Sequence, residues 1–218
     1  MGLINAWSFC AAGFALTLIG CGSSEDQRPE EPLGEAREAL TAYCTAKVNG
    51  VGTIDVEKNY LPHVVHCENG GAPYEALKAQ AIAARTYLYY KLSTAGSIDD
   101  GQSDQVYSCG SAPTAQQIKA VEETSGQVLR HNSVTLCSFF VAGDPTLNAP
   151  GCIGNDADAP TEKYVTYNNG LTGNQVHPST LGSTSNPVNR GCMSQCGSRC
   201  LASAGKTSRC VSLICRMR

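Results

Sequence analysis

Residues 60–91 read Tyr60-Leu-Pro-His-Val-Val-His-Cys-Glu68-Asn-Gly-Gly-Ala-Pro73-Tyr-Glu-Ala-Leu-Lys78-Ala-Gln-Ala-Ile-Ala-Ala-Arg85-Thr-Tyr-Leu-Tyr-Tyr-Lys91, and the fold turns on how this run divides. Tyr60, Leu61, Val64 and Val65 fall at helical spacing until Gly70-Gly71 interrupts them, which predicts a short helix ending just after Glu68. Pro73 then opens a second helix, in which Leu77, Ala81, Ala84 and Leu88 recur at i, i+4, i+7 and i+11. Lys78 and Arg85 lie on a different face of it. This is the strongest helical pattern in the chain.

Working outward, Val51-Gly-Thr-Ile-Asp-Val56 alternates apolar and polar residues as a strand does. Downstream, Thr114-Ala-Gln-Gln117 has capping-box form ahead of Ile118 and Val121, and Gly126 ends that helix. Two strand-like runs follow, Gln127 to Leu129 and Val134 to Val141, joined by His131-Asn132-Ser133. Residues 144–190 are rich in Pro, Gly, Asn, Thr and Ser, and only Tyr164-Val-Thr-Tyr167 among them reads as a strand. The expected class is α+β: a single mixed domain over residues 40–218, with short helices and antiparallel strands, stabilised by disulfides.

The N-terminus sets the compartment. Phe9 to Gly20 is an uncharged apolar run of signal-peptide length, too short to span a bilayer. It ends in Leu18-Ile19-Gly20-Cys21, which resembles a bacterial lipobox, so residues 1–20 are expected to be a leader and Cys21 an acylated anchor. Residues 21–39, acidic and Pro-containing, then form a tether. Met1 to Ser8 departs from the leader pattern in lacking Lys and Arg. The expected location is that of an exported, membrane-anchored lipoprotein of the periplasm or outer membrane, Gly22 after the anchor favouring outer-membrane sorting.

A formal charge of −3 over 218 residues, with no Lys/Arg cluster, lacks the footprint that a phosphate backbone needs, so no nucleic acid is expected as a partner. Of the 12 cysteines, ten remain once the leader and anchor are set aside, and an exported chain would pair most of them. Their pairing cannot be read from the sequence. Cys67 has two readings, a disulfide partner or a buried free thiol. Cys192, Cys196 and Cys200, evenly spaced, match no common iron–sulfur spacing and point to disulfides. His63 and His66 stand three apart on one helix without a third ligand nearby, and neither a metal nor a cofactor is expected.

The run from Tyr60 to Lys91 resembles the core signature of the stage II sporulation protein D (SpoIID/LytB) family. Gln105-Val-Tyr107, Ala120 to Leu129 and Cys192-Met-Ser-Gln-Cys-Gly-Ser-Arg-Cys-Leu-Ala202 follow in family order, extending the similarity over roughly residues 50–205. The resemblance implies a lytic transglycosylase that cuts peptidoglycan glycan strands, in sporulation or wall remodelling, with Glu68 as catalytic acid. It equally admits a non-catalytic wall-binding module or amidase enhancer, whose partner is a cell-wall amidase. A disulfide-stabilised structural lipoprotein is a third reading.

The residues agree with the first reading. Glu68 continues the stripe Leu61, Val65 at the end of the helix, and burial together with the helix dipole would raise its pKa. One carboxyl group suffices for a transglycosylase, because the muramic acid C6 hydroxyl replaces water as the attacking group. Lys78, Gln80, Arg85 and Tyr87 are candidate sugar-binding groups, against a solvated helix face. Gln105, Ser194 and Gln195 occupy motif positions compatible with a cleft or with turns. The sequence departs from the family pattern at Asn69-Gly70 in place of Met-Pro, at Ala142-Gly143-Asp144 in place of Ser-Gly-Gly, at Asn189 in place of His, and in its C-terminal ending.

Overall fold

The computed structural model describes residues 42–147 and, with short gaps, 152–209. The expected leader, Cys21, the tether and Leu40, together with Cys210 and Cys215, lie outside the described residues.

β1 (Thr45–Asn49) and β2 (Gly52–Asp55) form an antiparallel hairpin in which Thr45 faces Asp55 and Val48 faces Gly52. Ala46, Val48 and Ile54 point inward from it, as the alternation requires. The Asp55 carboxylate then accepts the Lys58 N–H at 2.7 Å and starts a wide helical turn, Val56–Tyr60, that runs straight into α1 (Leu61–Asn69). Pro62 sits in the first turn of α1, where its missing N–H costs nothing. After the Gly70-Gly71 break comes α2 (Tyr74–Ala95), closed by Gly96 in the left-handed conformation at φ 72°.

α2 is buried on nearly every side, so it is the axle of the domain rather than an amphipathic surface helix. Its Leu77, Ala81, Ala84 and Leu88 pack with Val56, Leu61, Val64, Val65 and Ile98. The opposite side, Ala79, Ile82 and Ala83, packs with Leu129, Leu136, Met193 and Leu201. The alanines matter here, since small side chains let elements approach the helix from both directions.

β3 (Ile98–Asp99) returns alongside β1 and pairs with it in parallel, giving the sheet order β2-β1-β3. α3 (Ala115–Glu123) carries the expected capping box, Thr114 and Gln117 each bonding the other's backbone N–H. β4 (Arg130–His131) and β5 (Val134–Thr135) make a minimal hairpin through Asn132 and Ser133, both at positive φ. β6 (Phe139–Val141) pairs in parallel with β7 (Cys192–Ser194), which leads directly into α5 (Gln195–Ser203).

The structure confirms the α+β class and corrects its details. Two of the strand pairings are parallel, because the partner strands return after helical or long irregular connections rather than tight turns. Gln127 to Leu129 precedes the strand instead of forming it. The stretch around Tyr164 is a single helical turn, α4 (Lys163–Thr166), since the Ala159 carbonyl receives the Glu162 N–H and the Glu162 carbonyl the Val165 N–H. Gly143 shows why this region is glycine-dependent: at φ 74° an added Cβ would collide with the Ser194 hydroxyl.

Candidate functional site

Glu68 lies one residue from the end of α1 and is half-buried. Its Oε1 accepts the backbone N–H of Val106 at 2.7 Å, and its Oε2 accepts the side-chain amide of Gln195 at 3.2 Å. Burial holds its pKa above the usual glutamate range, while the Val106 and Gln195 hydrogen bonds pull it partway back. A carboxyl group so placed can carry a proton closer to neutral pH than a solvated one, and can be steadied as an anion after giving it up.

The loop carrying Val106 is built around two carboxylates and one amide. Asp100 accepts the N–H groups of Tyr107 and Ser108 at 2.8 and 3.1 Å. Burial alone would raise its pKa, but the Ser108 hydroxyl and these two N–H groups outweigh it and lower the value. Asp104 accepts from the Asp99 N–H and the Tyr87 hydroxyl and pairs with Lys91 at 2.8 Å. Gln105, fully buried, accepts from the Tyr60 hydroxyl at 3.0 Å and donates to the Ala84 carbonyl at 3.2 Å. That pin fixes the neighbouring Val106 N–H against Glu68. Burial, with the charges of Asp104, Asp100 and Glu68, pushes the Tyr60 phenol well above its ordinary pKa, so it remains a neutral donor.

On the other flank, Ser194 caps α5 by accepting the Gly197 N–H at 2.8 Å, which presents Gln195 at the head of the helix. Asn69 is buried. It accepts from Arg199 Nε at 2.7 Å and donates to the Ser198 hydroxyl at 3.3 Å, joining the end of α1 to α5.

Thus the expected site residues divide by role. Glu68, Gln105 and Gln195 come together. Tyr87 joins them through Asp104, two residues from Val106. Arg85 does not: it is completely buried, its guanidinium held bidentately by Glu57 at 2.7 and 2.8 Å and by the carbonyls of Val121 and Gln127. Gln105 and Ser194, like Arg85, bond the protein itself, Gln105 through Tyr60 and Ala84 and Ser194 through the Gly197 N–H. Lys78 is half-buried between Glu75 at 3.0 Å and Glu123 at 3.6 Å, with Tyr74 beneath it. Gln80 is fully buried on α2 one turn before Ala84, and among the described residues neither its Nε2 nor its Oε1 has a hydrogen-bond partner.

Sequence reasoning passed over Val106, whose contribution is a backbone N–H and leaves no trace in residue type. It also passed over Tyr107, which stacks flat on Tyr60 with ring centroids 5.6 Å apart and donates to Asn59. Cys67 is a disulfide partner after all, bonded to Cys109, and Cys200 is bonded to Cys152. Cys44, Cys137 and Cys196, expected to pair, are free thiols. Among the described residues no cluster of three or more His, Cys, Asp or Glu side chains is arranged to hold a metal ion.

Residues 45–131, the segment that contains Glu68, Arg85, Gln105 and Val106, match the family model of the stage II sporulation protein, SpoIID. This segment is similar to the SpoIID family. The chain is also similar to the amidase enhancer of Bacillus subtilis (strain 168), 47% identical over 66 residues, which is 30% of this chain. The likeness spans only 9% of that relative's length. Gln195 and the α5 flank of the site lie beyond the segment that matches the SpoIID model. Two departures from the family pattern also fall there. Asp144 is buried, its N–H donating to Glu162 at 2.9 Å, and Asn189 is buried with its side-chain amide donating to the carbonyls of Ser179 and Leu181.

Proposed function

We propose that this protein works at the bacterial cell wall and cleaves peptidoglycan glycan strands as a lytic transglycosylase. The SpoIID match and the amidase-enhancer likeness support a cell-wall role. The chemistry rests on one observation: a half-buried glutamate of raised pKa whose two oxygens are each held by an N–H donor. Protonated Glu68 gives its proton to the oxygen between MurNAc and GlcNAc as that C–O bond breaks. The resulting carboxylate then takes the proton of the muramic C6 hydroxyl as its oxygen bonds C1, leaving a 1,6-anhydro end. Atoms balance without water, and no second carboxylate is needed. Lys78, half-buried, remains the proposed sugar-binding member of α2.

Digestion of purified glycan strands tests this. Glu68→Gln preserves shape but transfers no proton, so release of anhydromuramic ends should fall by about 10²- to 10⁴-fold, with wall affinity within about threefold of wild type. The second reading, a wall-binding module that enhances a cell-wall amidase, is supported by the name of the Bacillus relative. It prevails if wild type binds walls yet releases no anhydro ends.

We also propose that the chain is exported and held at the membrane by a diacylated Cys21, on the strength of Leu18-Ile19-Gly20-Cys21. Mass spectrometry of the membrane fraction should find the mature protein starting at acylated Cys21; an intact Met1 would refute it.

A further inference from the structure

The two residues that flank Glu68 in the chain each reach the element supplying one of its hydrogen-bond donors. Cys67 is bonded to Cys109, three residues beyond Val106 on the same loop, with Cα atoms 5.6 Å apart, and the Cys67 sulfur also lies 3.4 Å from the Tyr107 carbonyl. Asn69 bonds Ser198 and Arg199 on α5, whose first residue is Gln195. The Ser198 hydroxyl in turn donates to the Gln195 carbonyl at 2.7 Å, which completes the link back to the donor residue. We propose that the Cys67–Cys109 disulfide and Asn69 are paired positioning groups for Glu68, the first holding the Val106 N–H on Oε1 and the second the Gln195 amide on Oε2.

This deepens the reading of Glu68 as a proton donor and rests on it for its purpose, though not for its geometry. The donors come from segments 38 and 127 residues away in the chain, so neither is placed by local structure. A carboxyl group at a helix end would otherwise be free to turn to solvent. Locking the residue before it and the residue after it to different partners leaves one orientation in which both oxygens are bonded. The ionisable groups around this arrangement include Tyr60 from the turn before α1, His63 of α1, Asp100, Asp104 and Tyr107 from the loop, and Cys196 and Arg199 from α5. Tyr60 stays neutral, Asp100 is engaged with the N–H groups of Tyr107 and Ser108, and Asp104 with that of Asp99.

The test is made by NMR on the full chain, with the carbon-13 carboxyl signal of Glu68 assigned by its loss in Glu68→Gln and with nitrogen-15 signals of the Val106 amide and the Gln195 side chain. In Cys67→Ser/Cys109→Ser the Val106 amide should exchange at least about tenfold faster with solvent, while the Gln195 signals stay in place. Asn69→Ala should do the reverse. In both, the Glu68 titration midpoint should rise further above the ordinary glutamate value, because each clamp holds a hydrogen bond that offsets the effect of burial. A fold-wide loosening would move both donors in both variants, and a purely structural disulfide would move neither; each of these overturns the proposal. Should the cysteine variant fail to fold, a Cys152→Ser/Cys200→Ser protein, which lacks the disulfide on α5, is read before and after dithiothreitol, which reduces Cys67–Cys109 to two thiols while forming its own cyclic disulfide. No turnover is measured, so a protein that makes no anhydromuramic ends refutes the enzyme reading without touching this one.

Discussion

The middle of α2 and the end of α1 carry polar residues of one motif, yet the fold treats them in opposite ways. Around Arg85 the structure saturates: the guanidinium is wholly buried and bound to Glu57 and two carbonyls, and Gln105 is pinned between Tyr60 and Ala84. Around Glu68 it stops short, holding both oxygens from one side each while leaving the carboxyl half-exposed and its pKa raised. Polar residues that share a motif therefore need not share a role. Those with every donor used build the scaffold, and the one with a destabilised charge at a surface is what the scaffold presents.

The largest effect that tests this contrast is at Arg85. Arg85→Ala takes the guanidinium from the Glu57 carboxylate and from the carbonyls of Val121 and Gln127, and should cost about 3 kcal/mol of stability, read from urea unfolding. Arg85→Lys should recover little, because an ammonium cannot reproduce the bidentate fork. If Arg85→Ala instead unfolds at the wild-type midpoint and loses wall binding, Arg85 is a ligand group and the contrast fails.

A smaller effect belongs to Tyr87, at the border between the two regions. Tyr87→Phe removes the 2.7 Å bond to Asp104 and nothing else, leaving that carboxylate its Asp99 and Lys91 partners. Stability should fall by about 1 kcal/mol with wall affinity unchanged. Wall affinity lost at full stability would move Tyr87 into the binding surface and sharpen the border.

How much of this was legible in the sequence follows the same line. Helices α1 and α2, the cap at Thr114 and Glu68 itself could be read, because periodicity, turn residues and a specific motif all act locally. The burial of Arg85 could not, since it depends on Glu57, 28 residues away, and on carbonyls from a helix not yet placed. Nor could the parallel pairing of β6 with β7, whose strands lie far apart in the chain. Val106 acts through its backbone, and Asn69 looked like a departure from the family pattern until α5 was seen to meet it.

The smallest effect concerns the stability that Glu68 costs the fold. Folding raises its pKa, so whatever it contributes is fully present below its unfolded pKa and is lost as pH rises through the folded value. At neutral pH the folded chain therefore holds a carboxylate less comfortably than the unfolded chain does. Glu68→Gln removes that penalty while its amide oxygen can still accept the Val106 N–H, and Gln195 can turn its own amide to present an acceptor. The variant should melt at a higher temperature than wild type at pH 7, with the difference shrinking as the pH drops below the ordinary glutamate range, as followed by calorimetry across pH. A variant less stable than wild type at pH 7 would mean that the two hydrogen bonds outweigh burial and that Glu68, like Arg85, is a saturated strut. In that case the division between scaffold and site would have to be drawn elsewhere, with Gln80, buried and uncommitted, as the group to examine next.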